Sequence, residues 1–138
     1  MLKIGDHFNR IMPDEPNLED LKKKINFGIK YWLNFDDKNI LGKGWAKLLQ
    51  RIHQEDVGSL TEAAKQCGYS YKYAWNILKR IENRTGKSPV ITGKGGAGGG
   101  GFIKLNEWGE MILSIFLKLD LEVTKMEKTI RKTIDQLE

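Results

Sequence analysis

Alternating apolar and polar side chains predict a half-buried strand over residues 29–35. The polar residues at 36, 37 and 39 predict a turn directly after it. A helix is predicted over residues 44–55, because apolar side chains recur there at i, i+3, i+4 and i+7. The positions of that stripe are Trp45, Leu48, Leu49 and Ile52.

The first 28 residues show a weaker pattern. Pro13 and Pro16 interrupt any long helix. After Asn17, the apolar side chains of Leu18, Leu21 and Ile25 fall on one helical face. We therefore predict that residues 1–28 form an N-terminal arm with a short accessory helix.

Two further helices are delimited by capping residues. Ser59 and Glu62 have the spacing of a capping box, and the helix that they begin should end near Cys67, before Gly68. A third helix should begin after Ser70 and run to about residue 85, where Gly86 can end it. Small residues at 63 and 64, followed by a glycine turn, predict a helix-turn-helix. The alternative is a helical hairpin of the same shape that contacts another protein.

Residues 90–92 and 102–105 read as two short strands on either side of a glycine-rich segment. Asn106 can then cap a final helix that runs to the C-terminus. The predicted fold is mainly α with a small β-wing, a winged helix-turn-helix with a long C-terminal dimerisation helix. We expect an arm over 1–28, a DNA-binding domain over 29–105 and a dimerisation helix over 106–138.

The C-terminal segment has a heptad pattern, since apolar residues recur at steps of four and three with only Thr133 polar among them. We predict that this seam forms a coiled coil in a homodimer. The alternative is that its first half packs on its own domain and the rest frays. The predicted dimerisation residues are Ile112, Phe116, Leu119, Val123, Met126, Ile130 and Leu137.

The charge is unevenly distributed over the 138 residues, whose formal net charge is +5. Residues 1–105 hold 18 basic and 11 acidic side chains, a balance of +7, and residues 106–138 hold 5 and 7, a balance of −2. Residues 70–104 carry seven basic side chains and one acid, Glu82. Such a basic segment favours binding to a polyanion, although a solvated basic face has the same composition.

The third helix has an apolar face and an opposite face of Lys and Asn side chains, which suit the major groove of DNA. Base contacts are expected from Tyr71, Lys72 and Asn76, and phosphate contacts from Lys79, Arg80 and Arg84. Trp75 is expected to have a packing role. The full set of predicted DNA-binding residues is Ser70, Tyr71, Lys72, Tyr73, Asn76, Lys79, Arg80, Arg84 and Lys94.

Seven of the nine residues at 93–101 are glycine, and residues 93–98 match the dinucleotide-binding pattern G-x-G-x-x-G. That pattern requires a helix after the loop, whereas a strand is predicted here. We therefore interpret the loop as a wing whose backbone approaches DNA, with Lys94 at its tip. A small nucleotide-binding enzyme is the alternative.

Catalytic and metal-binding chemistry is sparse in this sequence. There is one cysteine, Cys67, and the two histidines, His7 and His53, form no ligand motif. We expect no enzymatic activity, no cofactor and no metal. No apolar run reaches the ~18 residues that span a membrane, and the first residues lack the apolar region of a signal peptide. A cytoplasmic, nucleoid-associated protein without membrane contact is expected.

Three stretches resemble the DNA-binding domain of ModE-type molybdate-responsive regulators: residues 58–64, the Ser-Tyr-Lys-x-Ala-Trp of residues 70–75, and the glycines of 93–101. The resemblance covers about residues 29–119. It implies a winged helix-turn-helix whose third helix enters the major groove, and homodimers on palindromic operators. Members of the family also carry C-terminal molybdate-binding domains. Because this sequence ends at Glu138, we expect that molybdate is not its effector and leave the effector open.

The predicted function is sequence-specific transcription regulation on double-stranded DNA. A non-specific architectural DNA-binding protein would have a similar basic charge, and sequence preference separates the two. A protein-interaction module that acts through the coiled coil would bind no duplex DNA.

Overall fold

The computed structural model describes residues 15–94 and 101–137. Within these ranges, the chain forms five helices and two antiparallel hairpins. No helix there is long and apolar enough to cross a bilayer. In chain order the elements are α1 (Leu18–Lys23), β1 (Leu33–Phe35), β2 (Lys38–Leu41), α2 (Lys43–His53), α3 (Leu60–Cys67), α4 (Tyr71–Thr85), β3 (Val90–Gly93), β4 (Phe102–Leu105) and α5 (Glu107–Asp135).

The first hairpin differs from the prediction over residues 29–35. Only Leu33–Phe35 forms a strand, because only this part pairs with β2, which the sequence pattern did not predict. Residues 29–32 precede the strand, and Tyr31 among them lies against α5, where its ring stacks on Phe116 at 5.6 Å between centroids. The apolar position at Tyr31 therefore reflects contact with a helix rather than strand pairing.

Helices α2, α3 and α4 form the helical part of the domain. Helix α2 ends two residues before the predicted position 55, at His53, and buries Leu48, Leu49 and Ile52. The cap of α3 is as predicted, since Ser59 Oγ accepts from the Glu62 amide at 3.1 Å. Ala63 is 0% exposed at the closely packed start of the motif.

The turn between α3 and α4 depends on Gly68, whose φ is 76°. This left-handed conformation costs glycine little and other residues more. The amide of Tyr69 then donates to the Ala64 carbonyl at 2.9 Å, which closes the end of α3. The turn of the predicted helix-turn-helix therefore requires a left-handed backbone conformation at Gly68.

Strands β3 and β4 form the second hairpin, with Val90 opposite Leu105 and Gly93 opposite Phe102. The loop between them, residues 95–100, lies outside the described residues. A strand and not a helix follows the glycines, so the geometry required by the dinucleotide pattern is not met. The predicted mainly α fold with a small β-wing is confirmed.

Helix α5 begins inside the core of the domain. Asn106 Oδ1 caps it by accepting from the Gly109 amide at 2.8 Å, as predicted. Ile112, Leu113 and Phe116 are buried in the same apolar cluster as α2, α3 and α4. The first turns of α5 thus belong to the core of the domain that the sequence predicts over residues 29–105.

The N-terminal arm runs along the second half of α5. Tyr31 Oη donates to Asp120, and Arg131 Nη2 donates to the Ile25 carbonyl at 3.3 Å. The Arg131 guanidinium also lies 5.5 Å from the centre of the Phe27 ring. The apolar stripe predicted for α1 does not face the core, because Leu18 is 81% exposed. Residues 1–14 of the predicted arm lie outside the described residues.

Candidate nucleic-acid interface

Helix α4 has the two faces that its sequence predicts. Ala74, Ile77, Leu78 and Ile81 are buried against the rest of the domain. Its first turn is fixed by Ser70, whose Oγ accepts from the Tyr73 amide at 3.0 Å. A hydroxyl cap of this kind satisfies one of the amides that the first turn leaves without an intrahelical partner. Ser70 therefore has a structural role in addition to its predicted place at the interface.

The opposite face of α4 presents a row of polar side chains to solvent: Lys72, Asn76, Lys79 and Asn83. These four lie within about 60° of one another at 100° per residue. None carries a negative charge. Lysine can donate to guanine O6 and N7 or to a phosphate, and asparagine can pair with adenine N6 and N7. We call this row the polar face of α4.

One flank of the polar face meets the base of the wing. Tyr71 and Trp75 line a cleft whose other wall contains Gly93 and Phe102. Trp75 is 37% exposed, and the Lys79 ammonium lies 5.2 Å from the centre of its ring. Trp75 therefore lines the cleft beside the wing and does not belong to the buried core. Its apolar surface is available to a ligand on the same side as Tyr71.

The two strands of the wing come into close contact at a glycine. A Cβ at Gly93 would lie 2.3 Å from Cε1 of Phe102, so the aromatic ring covers the glycine backbone. Lys94, the predicted contact of the wing, is exposed at the end of the described part of the strand. Lys104 is also exposed and adds a second positive charge to the hairpin. The rest of the glycine-rich loop, residues 95–100, lies outside the described residues.

The other flank of the polar face contains Tyr73, Arg80 and Arg84. Arg80, a predicted phosphate contact, is exposed. Arg84 is half-buried, and its Nη1 donates to the carbonyl and the side-chain oxygen of Asn39, at 2.6 and 2.8 Å. Its guanidinium also lies 5.8 Å from the centre of the Trp45 ring. Arg84 thus joins α4 to the first hairpin, a role that the sequence pattern did not reveal.

Tyr73 is positioned by a chain of contacts that reaches α2. Its ring packs edge to face on Tyr69 with centroids 5.0 Å apart. Tyr69 Oη in turn donates to the Gly44 carbonyl at 2.9 Å. Burial raises the pKa of Tyr69 above the usual value of 10, so its hydroxyl stays a donor through the neutral range. Neither Tyr69 nor Asn39 was among the predicted site residues, because their partners are distant in sequence.

The groups that could serve catalysis are few in the described parts of the chain. Burial raises the pKa of the Cys67 thiol, which disfavours the reactive thiolate at neutral pH. In residues 15–94 and 101–137, no three His, Cys, Asp or Glu side chains are grouped as a metal site requires. Cys67 lies in the core of the helix-turn-helix, where it packs as an apolar residue.

The residues of the predicted dimerisation seam differ in how far the fold buries them. Ile112 and Phe116 are buried in the core, and Val123 is 6% exposed in the stretch of α5 beside the arm. Leu119 and Ile130 are half-buried, and Met126 and Leu137 are exposed. A neighbouring stripe is also exposed, formed by Met111 and Ile115. The exposed apolar side chains of α5 and the residues that follow it thus lie partly on the predicted seam, at Met126 and Leu137, and partly beside it, at Met111 and Ile115.

Comparisons with known proteins show similarity to molybdenum-related proteins. No protein-family model matches the chain. It is 34% identical over 76 residues to the molybdenum transport protein ModE of Azotobacter vinelandii, which is 55% of this chain and 27% of that protein. It is 33% identical over 81 residues to the transcriptional regulator ModE of Yersinia pestis, 59% of this chain and 28% of that protein.

A third relative is the molybdenum-pterin-binding protein MopB of Rhodobacter capsulatus, which is 30% identical over 79 residues, or 57% of this chain and 29% of MopB. The chain spans less than a third of the length of each of these relatives. The similarities agree with the resemblance to ModE-type regulators that residues 58–64, 70–75 and 93–101 indicate.

Proposed function

We propose that this chain is a winged helix-turn-helix DNA-binding protein that regulates transcription as a homodimer on a palindromic operator. In this proposal it is a binding protein of the cytoplasm and nucleoid, not an enzyme. Support comes from the fold, from the basic segment 70–104 and from the similarity to relatives named as regulators. The polar face of α4 is the observation that carries the proposal.

The polar face has the features that base recognition in the major groove requires. It is a row of Lys and Asn side chains on the exposed side of a helix whose opposite side is anchored in the core. The N-terminal part of such a helix reaches the base edges, so Lys72 and Asn76 are assigned to bases and Lys79 and Arg80 to phosphates. The wing, with Lys94 and Lys104, is assigned to the flanking backbone.

For Arg84 we propose a role other than the phosphate contact that the sequence predicts. Two of its hydrogen bonds already go to Asn39, so it holds the first hairpin against α4. We propose that it acts on DNA binding through the position of this hairpin, and that Arg80 is the phosphate contact on that flank.

The dimer in this proposal forms through the exposed stripe of α5. Exposed Met111, Ile115 and Met126, with half-buried Leu119 between them, follow one side of the helix over about 22 Å at 1.5 Å per residue. A second copy would cover this stripe, since Ile112 and Phe116 are already buried. Paired helices would place the two α4 helices about one DNA turn, ~34 Å, apart on a palindrome.

Fluorescence anisotropy with random duplex DNA at two salt concentrations, followed by selection of preferred sequences, tests the function. We expect affinity to fall steeply with salt and selection to enrich a palindrome. Salt-dependent binding without an enriched sequence would favour an architectural protein instead. An absence of binding at low salt would refute both DNA-binding functions and favour the protein-interaction module.

Two variants separate base contacts from phosphate contacts. Asn76→Ala should cost about 1–3 kcal/mol on the selected site and relax the preference at one base pair. Arg80→Ala should weaken binding to all sequences alike and lower the salt slope by about 1. Lys125→Ala removes another exposed cation, from α5, and should change neither. A uniform loss in all three variants would contradict the assignment.

Sedimentation of the wild type and of an Ile115→Glu/Met126→Glu variant tests the dimer. We expect the wild type to sediment as a dimer and the variant as a monomer, because two charges would enter the apolar contact. Ser114→Glu adds a charge at an exposed position on another side of α5 and should leave the dimer intact. A monomeric wild type would refute the dimer without bearing on the polar face of α4.

A further inference from the structure

A second surface of the domain, away from the wing, has the form of a ligand site. It is a cleft of about 510 Å³ between the segment before β1, the start of α2 and the first turn of α4. This volume lies in the range of small-molecule pockets, about 300–1,000 Å³. We call it the aromatic cleft, after its lining by Tyr31, Trp32, Trp45 and Tyr73, with Lys30 and Lys43 beside them.

The walls of the aromatic cleft are held in place by contacts that lie outside it. The Tyr31 ring is stacked on Phe116, and the Trp32 indole N–H donates to Asn34 Oδ1 at 3.0 Å. Trp45 is covered on one side by the Arg84 guanidinium. Tyr73 is packed against Tyr69. The aromatic surfaces are therefore positioned before any ligand arrives, which lowers the entropic cost of binding.

The charges around the cleft favour one kind of ligand. Lys30 and Lys43 contribute two ammonium groups, and no carboxylate belongs to the described residues that line it. Asn39 adds an amide, which can donate or accept a hydrogen bond. Flat aromatic walls stack on flat rings, and lysine binds oxyanions as a point charge. Neither a cation nor an aliphatic ligand would use both features.

We propose that the aromatic cleft binds a planar aromatic anion, with the ring between Trp32, Trp45 and Tyr73 and the anionic group toward Lys30 and Lys43. Trp32 is 51% exposed and Tyr73 48% exposed, so both rings have free surface on which a ligand can stack. The site does not depend on DNA binding. The proposed ligand site can be confirmed or refuted independently of DNA binding, because its test contains no nucleic acid.

The four tryptophans provide a direct test by nuclear magnetic resonance. The full chain, labelled with ¹⁵N at the indole nitrogens, is titrated with 2-naphthoate, and the signals are assigned with Trp→Phe variants. We expect saturable shifts of the Trp32 and Trp45 signals. Trp108 and Trp75 lie outside the cleft, so their signals should stay in place. Equal shifts of all four signals, or no saturation at Trp32, would overturn the proposal.

Two comparisons test the chemistry of the ligand. 2-Naphthamide has the same rings without the charge, and cyclohexanecarboxylate has the charge without the aromatic rings. Each should bind at least about tenfold more weakly than 2-naphthoate, as the loss of a charge-assisted or stacking contact implies. An amide or an aliphatic acid that binds as tightly would refute an aromatic anion as the occupant.

Variants locate the site. Lys43→Gln and Trp32→Leu should each weaken 2-naphthoate binding about tenfold or more. Trp75→Leu changes a comparably exposed tryptophan at the other cleft and should leave the affinity unchanged. Circular dichroism melting of each variant shows whether it is folded. A folded Trp32→Leu variant with wild-type affinity would overturn the assignment.

Discussion

At the scale of single residues, Gly109 shows how one missing side chain permits a close contact. It lies in the first turn of α5, directly against the segment before β3. A Cβ at this position would lie 2.1 Å from the Pro89 carbonyl oxygen, a backbone atom that cannot rotate away. The helix can therefore approach this segment only because residue 109 is glycine.

We expect Gly109→Ala to lower the free energy of unfolding by about 1–3 kcal/mol, the usual cost of forcing extra atoms into a packed site. The reason is that α5 must shift away from Pro89, although alanine by itself favours a helix. Urea denaturation monitored by circular dichroism gives the value. Gly58→Ala is the matched control, because a Cβ there meets nothing within 4 Å. An unchanged or raised midpoint for Gly109→Ala would contradict this account.

At the scale of elements, Arg84 connects α4 to the hairpin of β1 and β2. Its two hydrogen bonds to Asn39 join groups 45 residues apart in sequence, and its planar head lies over Trp45. A guanidinium can make both contacts at once because it is flat and carries several donors in a fixed arrangement. Arg84 thus adds a polar contact between α4 and the hairpin to the buried core that the two elements share.

We expect Arg84→Met to destabilise the protein by about 1–2 kcal/mol, since the Asn39 carbonyl loses a charged donor. Arg80→Met, at an exposed position on the same helix, should have little effect. Thermal or urea unfolding of both variants provides the comparison. A double-mutant cycle with Asn39→Ala isolates the bond to the Asn39 side chain, because the bond to its backbone carbonyl remains. Equal losses in Arg84→Met and Arg80→Met would show that the contact carries no stability.

At the scale of the whole molecule, the arm and α5 hold the two ends of the described chain together. Tyr31 donates to Asp120, and Lys22 and Arg131 make further bonds between arm and helix. Burial, with the Asp120 hydrogen bond as a second cause, raises the pKa of Tyr31 to about 12. A tyrosine hydroxyl ordinarily loses its proton near pH 10. Between about pH 10 and 12 the folded state therefore keeps a proton that the unfolded chain releases.

This shift predicts a loss of stability at alkaline pH. A group whose pKa is raised on folding stabilises the native state below the unfolded pKa, and the contribution disappears as pH rises from about 10 to about 12. We therefore expect the stability difference between the wild type and Tyr31→Phe to shrink over this interval. Urea midpoints measured across it give the difference, and Tyr69 is present in both proteins and cancels. A difference that stays constant would exclude Tyr31 as the titrating group.

Local signals in the sequence determined the helices and their ends. Ser59, Ser70 and Asn106 cap helices as predicted, and Gly68 and Gly86 end α3 and α4 with positive φ angles. These features depend on residues within one helical turn, which periodicity and capping chemistry describe well. The buried and exposed faces of α4 followed for the same reason. The mainly α fold with its small wing could thus be predicted from the sequence.

Contacts between distant residues were decided only by the tertiary structure. The alternation of apolar and polar residues at 29–32 is as compatible with packing against α5 as with a strand. The residues of β2 show no alternation that would predict a strand. The seam of α5 was predicted as one surface, yet the core covers Ile112 and Phe116 and leaves Met126 exposed. The contact between Arg84 and Asn39 is not indicated by any local pattern in the sequence. A pattern in the sequence shows that a face is apolar, and only the packed fold decides which neighbour covers it.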